Sequence, residues 1–521
     1  MTAMRGVTVT VQGASLPDDV MRNLSGVRVA ARLNQPAQCE LSFATGSGSA
    51  AQIDLVRLGA KMVVKVNGEN DALFEGELTA FEVEYAGDGT AMLRVRAYDL
   101  LHRLRKHQEL RVFEDVSTAD LAGQLAGGAG LNVESEEDGP RIERLLQHRH
   151  TDLDLLLEVA GRAGLHLATE GDKLHLITLD GYGLPVPLEL GKSVYGLRAE
   201  ANLDQAAGES TALGWHPQRA ELIEERAGSA RSGRKIPLRP DPSDVGADGV
   251  RTAIDQPGRS EDELAAIAQA RIDAREASLV TVSGDAEGDP DLRPGRRIVL
   301  TGCAEQLCGE YVLTEVVHTI DAVGFLSRFS TQPPVVSTPL PSAAVTLGTV
   351  TDVDDPDRLG RVRIDLPAYG GLDAGWLGVV FPGAGKGKGV IALPDPDDTV
   401  LVILPGGEPA AGVVIGSLYG VVEPYDAGID ENKSRRWSMR TAGGQAFVID
   451  DSGKRMRLQN EVGSFVELTP DLMTVHAATD LVVEAPGKAM RIRANTVDFE
   501  QATGPEQDDA RAWADKLAGG Y

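Results

Sequence analysis

The sequence predicts a mainly β protein with a small α/β insert, divided into several domains and ending in a ladder of short strands. Three observations predict it. Apolar and polar residues alternate with period two over most of the chain, the pattern of strands with one buried face. The period changes only where capped helical segments begin, at Ser117, Thr151 and Ser260. Glycine (59) and proline (27) are frequent while aromatic residues make up 4%, a composition suited to many strands and tight turns. At 521 residues the chain has room for about three or four domains, each large enough to bury a core.

From the start, alternation predicts strands at Val7 to Val11, Val27 to Leu33, Cys39 to Ala44, Lys61 to Val66, Ala72 to Tyr85 and Ala91 to Ala97. Turns such as Val66-Asn67-Gly68 separate them, so residues 1–110 read as a small barrel. Residues 111–200 form a helix and strand insert. Ser117-Thr118-Ala119-Asp120 and Thr151-Asp152-Leu153-Asp154 are capping boxes, in which hydroxyl and carboxylate satisfy backbone N–H groups left free at a helix start. Each leads through a leucine-rich helix to Gly-Leu, at Gly130-Leu131 and Gly164-Leu165, a short internal duplication. Residues 201–335 read as a second barrel. They hold a third capped helix, Ser260 to about Ala277, and strands beginning near Leu279, at Arg297 to Leu300, Glu310 to Ile320 and Phe325 to Ser330. Residues 227–255, rich in Gly, Pro, Ser, Arg and Asp, read as a mobile loop. A proline-rich linker follows at 336–345, then short strands at 346–421, an acidic connector at 422–435, the ladder at 436–502 and a tail at 503–521.

The ladder carries the clearest functional signal. Val466/Leu468, Met473/Val475, Leu481/Val483, Met490/Ile492 and Val497/Phe499 are i, i+2 apolar pairs, and Glu467, Thr474, Val482, Arg491 and Asp498 lie between their members. One face is apolar throughout, and no helix or second sheet in this segment covers it. Such a ladder is completed by copies of itself: wound about one axis with two identical chains, the apolar faces meet and the strand edges are paired. One layer per ~4.8 Å gives an intertwined trimeric β-prism on the order of 40 Å tall. The ten apolar residues just named are the expected trimer core. A plainer alternative is two or three hairpins of an ordinary sandwich.

A net charge of −27 argues against general nucleic-acid or anionic-membrane binding, which demand basic surfaces. Three cysteines, Cys39, Cys303 and Cys308, make no disulfide framework; they fit a reducing cytoplasm, with Cys303 and Cys308 read as inert thiols. The first thirteen residues lack the apolar stretch of a signal peptide, and no segment has the length of a membrane span, so folding in the cytoplasm is expected.

The run Leu347-Gly348-Thr349-Val350-Thr351-Asp352-Val353-Asp354-Asp355-Pro356-Asp357-Arg358-Leu359-Gly360-Arg361-Val362-Arg363-Ile364 resembles the start of the OB-fold domain in spike proteins of contractile injection systems. These include the VgrG proteins of type VI secretion and the phage baseplate spike. Trp376, Pro382-Gly383-Ala384-Gly385, Leu393-Pro394, Val400-Leu401-Val402 and Val414-Ile415-Gly416-Ser417-Leu418-Tyr419-Gly420 continue it in the family's order. Asp397-Asp398 departs from the usual Gly-Asp turn. Upstream, the duplicated helices, Arg293-Pro294-Gly295, Gly309-Glu310-Tyr311-Val312-Leu313 and His318 resemble the hub domain of phage late-control D proteins. The resemblance implies two tube-type β-barrels, an OB-fold barrel and a homotrimeric β-helical needle. It also implies partners: an inner tube protein and baseplate proteins at the hub, a PAAR-type protein at the tip, and effector cargo. The particle would be phage tail-like, extracellular or type VI-like.

No catalytic, cofactor or metal site is expected. Gly385-Lys386-Gly387-Lys388-Gly389 lacks the spacing and the Ser/Thr of a phosphate loop, and no His-Glu-x-x-His, Gly-x-Ser-x-Gly or EF-hand sequence occurs. Asp352, Asp354, Asp355 and Asp357 read as a solvated turn, and His148 and His150 as a surface pair on one strand face without a carboxylate near by. His476 stands alone in the ladder, without the His-x-His of an iron-bearing tip, and the connector and tail leave no room for an inserted lysozyme or an appended effector. The alternatives are a carbohydrate- or nucleic-acid-binding adaptor, using Lys386 and Lys388 with Trp376 and Phe381, and an envelope-degrading enzyme.

Overall fold

The computed structural model describes residues 6–45, 57–67, 71–204, 206–216, 221–246, 249–254, 256, 258, 260–335, 343–420 and 423–500. Residues 336–342 of the expected linker and the expected tail at 503–521 lie outside them. The chain divides into two compact units, Met1–Ser417 and Leu418–Tyr521.

In the first unit, strands form where the alternation places them, with Val7–Val11, Lys61–Val66 and Ala72–Tyr85 matching the sequence reading residue for residue. The two strand-rich halves keep separate cores. One gathers Val9, Leu41, Met62, Val64 and Val95, and the other Val282, Ile298, Leu300, Tyr311 and Phe329. Yet both halves feed one eleven-stranded sheet. The seam is the antiparallel pairing of Glu315–Ile320 with Leu24–Arg32, in register Glu315↔Arg32 to Ile320↔Val27, and an Arg32–Glu315 ion pair of 2.6 Å crosses it.

The single strand expected over Glu310 to Ile320 is two. Gly309–Val312 pairs with Arg296–Thr301, whereas Glu315–Ile320 pairs with Phe325–Ser330 and Leu24–Arg32. At the break, Tyr311, Val312, Leu313 and Thr314 are all buried and Thr314 donates its hydroxyl to the Gln332 carbonyl at 2.6 Å, so the alternation lapses where the chain passes between two sheets.

Both capping boxes of the insert form: Ser117 and Asp120 satisfy each other's backbone amides at the start of Thr118–Gly127, and Thr151 and Asp154 do so for Asp152–Ala163. Their apolar faces, with Leu121, Leu125, Leu155, Leu156 and Val159, make the core of the insert. The third helix, Glu261–Leu279, covers the hairpin Glu209–His216/Glu221–Ala227 through Leu264, Ile267, Ala268 and Ile272.

Composition reads residues 227–255 as a mobile loop; among the described residues, the stretches 231–236 and 250–253 are anchored, while 237–246 is mostly exposed. The Arg231 amide and Nε donate to the Asp273 carboxylate at 2.7 and 2.8 Å, and that carboxylate is buried on the third helix. Arg234 Nη1 donates to the Glu276 carbonyl at 2.7 Å, Lys235 bridges to Glu310, Ile236 is buried, and Val250–Ala253 pairs in parallel with Glu209–His216. Arginines that read as part of a mobile loop anchor the segment because their partners lie about forty residues ahead, beyond the reach of local pattern. Arg231→Ala leaves the Asp273 carboxylate buried without its cation. The expected cost is about 3–5 kcal/mol, seen as a lowered unfolding midpoint of the full chain and faster proteolysis between residues 228 and 246.

Five strands, Ala343–Asp352, Arg361–Leu366, Leu372–Val379, Thr399–Pro405 and Val413–Ser417, close a barrel around Val350, Ile364, Val402, Leu404 and Val414. Arg144 of the insert holds it, reaching Asp373 Oδ2 at 3.1 Å and the Asp373 carbonyl at 2.9 Å. Asp397, which stands where the resembled family has glycine, has φ 74°. A left-handed backbone costs a side chain roughly 1–2 kcal/mol relative to glycine, with Asp among the more tolerant residues. Asp397→Gly is therefore expected to raise stability by up to about 1 kcal/mol, read from the chain's denaturation midpoint.

Within the acidic run expected as a solvated turn, Asp354 and Asp357 are exposed and Asp355 is the exception. Asp355 is buried, not solvated: its carboxylate accepts from Arg361 Nη2 at 2.6 Å and Nε at 3.1 Å, and from the amides of Asp357, Leu359 and Arg361. Hydrogen bonding from Arg361 holds this carboxyl far below the ordinary range.

The second unit holds a short hairpin, Ile429–Asp430/Lys433–Ser434, and a five-stranded antiparallel meander. Asp426, its carboxyl lowered by the Arg436 guanidinium 2.8 Å away, ties the hairpin segment to the first strand of the meander.

Candidate functional site: the apolar face of the terminal ladder

The meander strands are Arg436–Arg440, Ala446–Asp450, Arg455–Gln459, Phe465–Leu468 and Met473–His476, each paired only with its neighbours in sequence. Turns of four or five residues leave little choice but antiparallel pairing. Registry then aligns like with like. One column runs Trp437↔Ile449↔Met456↔Leu468↔Met473 and a second runs Met439↔Phe447↔Leu458↔Val466↔Val475. Directly opposed side chains on one face are neighbours, so the ten make a continuous apolar surface.

In this chain that surface faces outward. Trp437 is 61% exposed and Val475 56%, and Met439, Phe447, Met456, Leu458, Leu468 and Met473 are exposed as well. The other face is the more buried one. Val448 and Arg457 are buried there; Arg457 lies 3.7 Å over the Phe465 ring and pairs with Glu467 at 3.2 Å, and burial lowers its pKa. Phe465 stacks on His476 with ring centroids 5.0 Å apart. Polar-in and apolar-out reverses the usual order of a globular sheet, and an apolar patch of this extent marks an interaction surface.

Of the residues expected in the trimer core, Val466, Leu468, Met473 and Val475 lie together in this surface. Leu481, Val483, Met490, Ile492, Val497 and Phe499 are exposed and lie outside the strands, the expected strands at these positions having no neighbour in this chain to pair with. The sequence reading passed over Trp437/Met439, Phe447/Ile449 and Met456/Leu458, which carry the same i, i+2 signal and supply six members of the two columns.

Other candidates do not gather into a site. Lys386 and Lys388 flank Gly387, with φ 71°, in a tight turn bridged between Gly385 and Lys388. His148 and His150 follow the strand Ile142–Gln147 instead of sharing its face; their rings meet edge-on at 5.9 Å, and Glu158 lies 3.4 Å from His150, so a carboxylate is close after all. Among the described residues no group of three or more His, Cys, Asp or Glu could hold a metal, and no helix is long and apolar enough to cross a membrane.

A β-rich hub with a helical insert, an OB barrel and a terminal meander defines the injection-system class of hub and spike proteins. Residues 31–324 match the phage tail baseplate hub (GPD) family, and residues 346–419 match the type VI secretion system/phage-baseplate injector OB domain. The first match spans more than half of the chain, which belongs to the phage tail baseplate hub family. It is a baseplate hub or spike protein of phage or type VI kind. No curated protein matches it. Among solved structures, it is similar to an E. coli component of the type VI secretion system, itself described as similar to T4 bacteriophage tail proteins. That likeness has 13% identity and TM-score 0.52, covering 79% of this chain and 99% of that one. It is also similar to a chain of the lidded Francisella PdpA-VgrG complex, at 9% identity and TM-score 0.54, covering 91% and 81%. At such identities the likeness is one of fold.

Proposed function

We propose that three copies of this chain assemble into a non-enzymatic spike hub. The observation that supports this reading is the inverted meander, whose two apolar columns lie open in one chain and would meet those of two sister chains on a common axis. Strands the single chain leaves unformed, around Leu481/Val483, Met490/Ile492 and Val497/Phe499, would gain neighbours from the other chains and lengthen the needle. Six strand-rich hub halves around the axis would adapt a threefold needle to a sixfold inner tube. The OB barrel acts as a collar between them.

In this reading the particle is assembled in the bacterial cytoplasm. The hub joins the inner tube and baseplate, the needle pierces a target envelope and touches the membrane only in passing, and a PAAR-type protein caps the tip. Effector cargo would travel with it. The relatives are structural hub and spike proteins, which supports a mechanical role over catalysis. Negative-stain images of the purified full chain should show a threefold particle with a slender projection. Uniform globular particles without a projection would reject the proposal, and release of soluble sugars from purified peptidoglycan would reject its non-enzymatic part.

A further inference from the structure

Cys303 and Cys308 flank the loop that joins Arg296–Thr301 to Gly309–Val312, just beyond the paired residues Leu300↔Gly309. A short 3-10 turn, Glu305–Leu307, folds the loop back, and the two sulfurs lie 2.8 Å apart as free thiols. A disulfide has S–S at about 2.05 Å, so closure asks for a shift of less than about 1 Å. Both side chains are only partly buried, whereas Cys39, the third cysteine, is fully buried.

The same turn holds other parts of the hub. The Leu238 amide donates to the Gln306 carbonyl at 3.0 Å, Lys235 and Glu310 exchange backbone hydrogen bonds at 3.0 Å, and the Tyr311 hydroxyl donates to the Leu307 carbonyl at 2.7 Å. Fixing the ends of this loop therefore fixes the segment around residues 235–238 that rests on it.

We propose that Cys303 and Cys308 form a dithiol that closes to an intramolecular disulfide when the hub meets a low-molecular-weight disulfide, locking this turn. The Cys308 thiolate attacks one sulfur of the small disulfide and releases one small thiolate, leaving a mixed disulfide. Cys303 sulfur then attacks the Cys308 sulfur and gives its proton to the second departing thiolate. Two protein thiols and one small disulfide become one protein disulfide and two small thiols. Burial, with the adjacent Cys308 adding to it, raises the Cys303 thiol above the usual thiol range.

The test equilibrates the reduced full chain with excess glutathione disulfide, quenches with acid, and alkylates all remaining thiols under denaturing conditions. The expected product has one alkylated cysteine, Cys39, and a Cys303–Cys308 linked peptide lighter by two hydrogens; hydrogen exchange at the Leu238 amide slows several-fold. Cys303→Ser should instead hold a stable glutathione adduct on Cys308. Three alkylated cysteines after equilibration, persistent glutathione adducts on the parent chain, or unchanged exchange at Leu238 would overturn the proposal.

Discussion

Val475→Asp is expected to dissolve the trimer. Val475 stands opposite Val466 in the second apolar column and, in the proposed assembly, faces the axis in all three chains. The substitution then places three carboxylates together in a dry seam. Each loses its hydration without gaining a cation, at a cost of several kcal/mol after relaxation. A combined loss on the order of 8 kcal/mol moves association from about nanomolar to about millimolar. The variant should sediment as a monomer at micromolar concentration while keeping the folded hub. Acidification that protonates the carboxylates should restore part of the assembly. Ile492→Asp should weaken it as well if the distal segment adds strands around the axis. Thr474→Lys, one residue away on the opposite face and across from Glu467, should leave the trimer intact. Assembly of Val475→Asp with the parent's stability would mean that this face does not point inward.

The second large effect lies in the OB barrel. Asp355→Asn removes the charge opposite Arg361, whose side chain is only 9% exposed, and weakens the cradle of amides at Asp357, Leu359 and Arg361. Breaking one side of a buried pair typically costs about 3–5 kcal/mol. For a barrel of this size that lowers the barrel's thermal midpoint by more than about 10 °C. Replacing both partners, as Asp355→Asn with Arg361→Met, should recover part of the loss, since no buried guanidinium is then left with Asp357, 2.6 Å away, as its one remaining carboxylate. The pair also sets an acid limit. Its carboxyl is held well below the ordinary value of about 3.9. Its contribution is thus complete above that value and disappears as pH falls through the lower native one. Acid unfolding of the parent should show this loss, and Asp355→Asn should be flatter over the same range.

Much of the fold was legible because its causes are local. Alternation, Asn-Gly turns and hydroxyl-to-carboxylate caps act over a few residues, and strands such as Lys61–Val66 and helix starts at Ser117 and Thr151 appear where the sequence places them. Causes that act at a distance were not legible. Tyr311, Val312 and Leu313 interrupt the alternation of Glu310 to Ile320 where the chain changes sheet, but an apolar run of three says only that these residues are buried and not which strand each faces. Asp355 reads as part of a solvated turn and Arg231 as part of a mobile loop, since burial of an ion pair depends on a partner and on cover that composition does not reveal. The apolar face of the ladder was legible as a pattern, and its first three strands repeat the signal read from the last ones. The Cys303–Cys308 pair had only spacing to mark it; the turn that brings the sulfurs together follows from the hairpin register.

The proposed needle rests on one property, that the terminal meander is finished only by other copies of the chain. The mass of the purified full-length protein in solution at micromolar concentration, by light scattering or sedimentation, tests it most directly. A single species of three chains is the predicted result, and a monodisperse monomer would contradict the account.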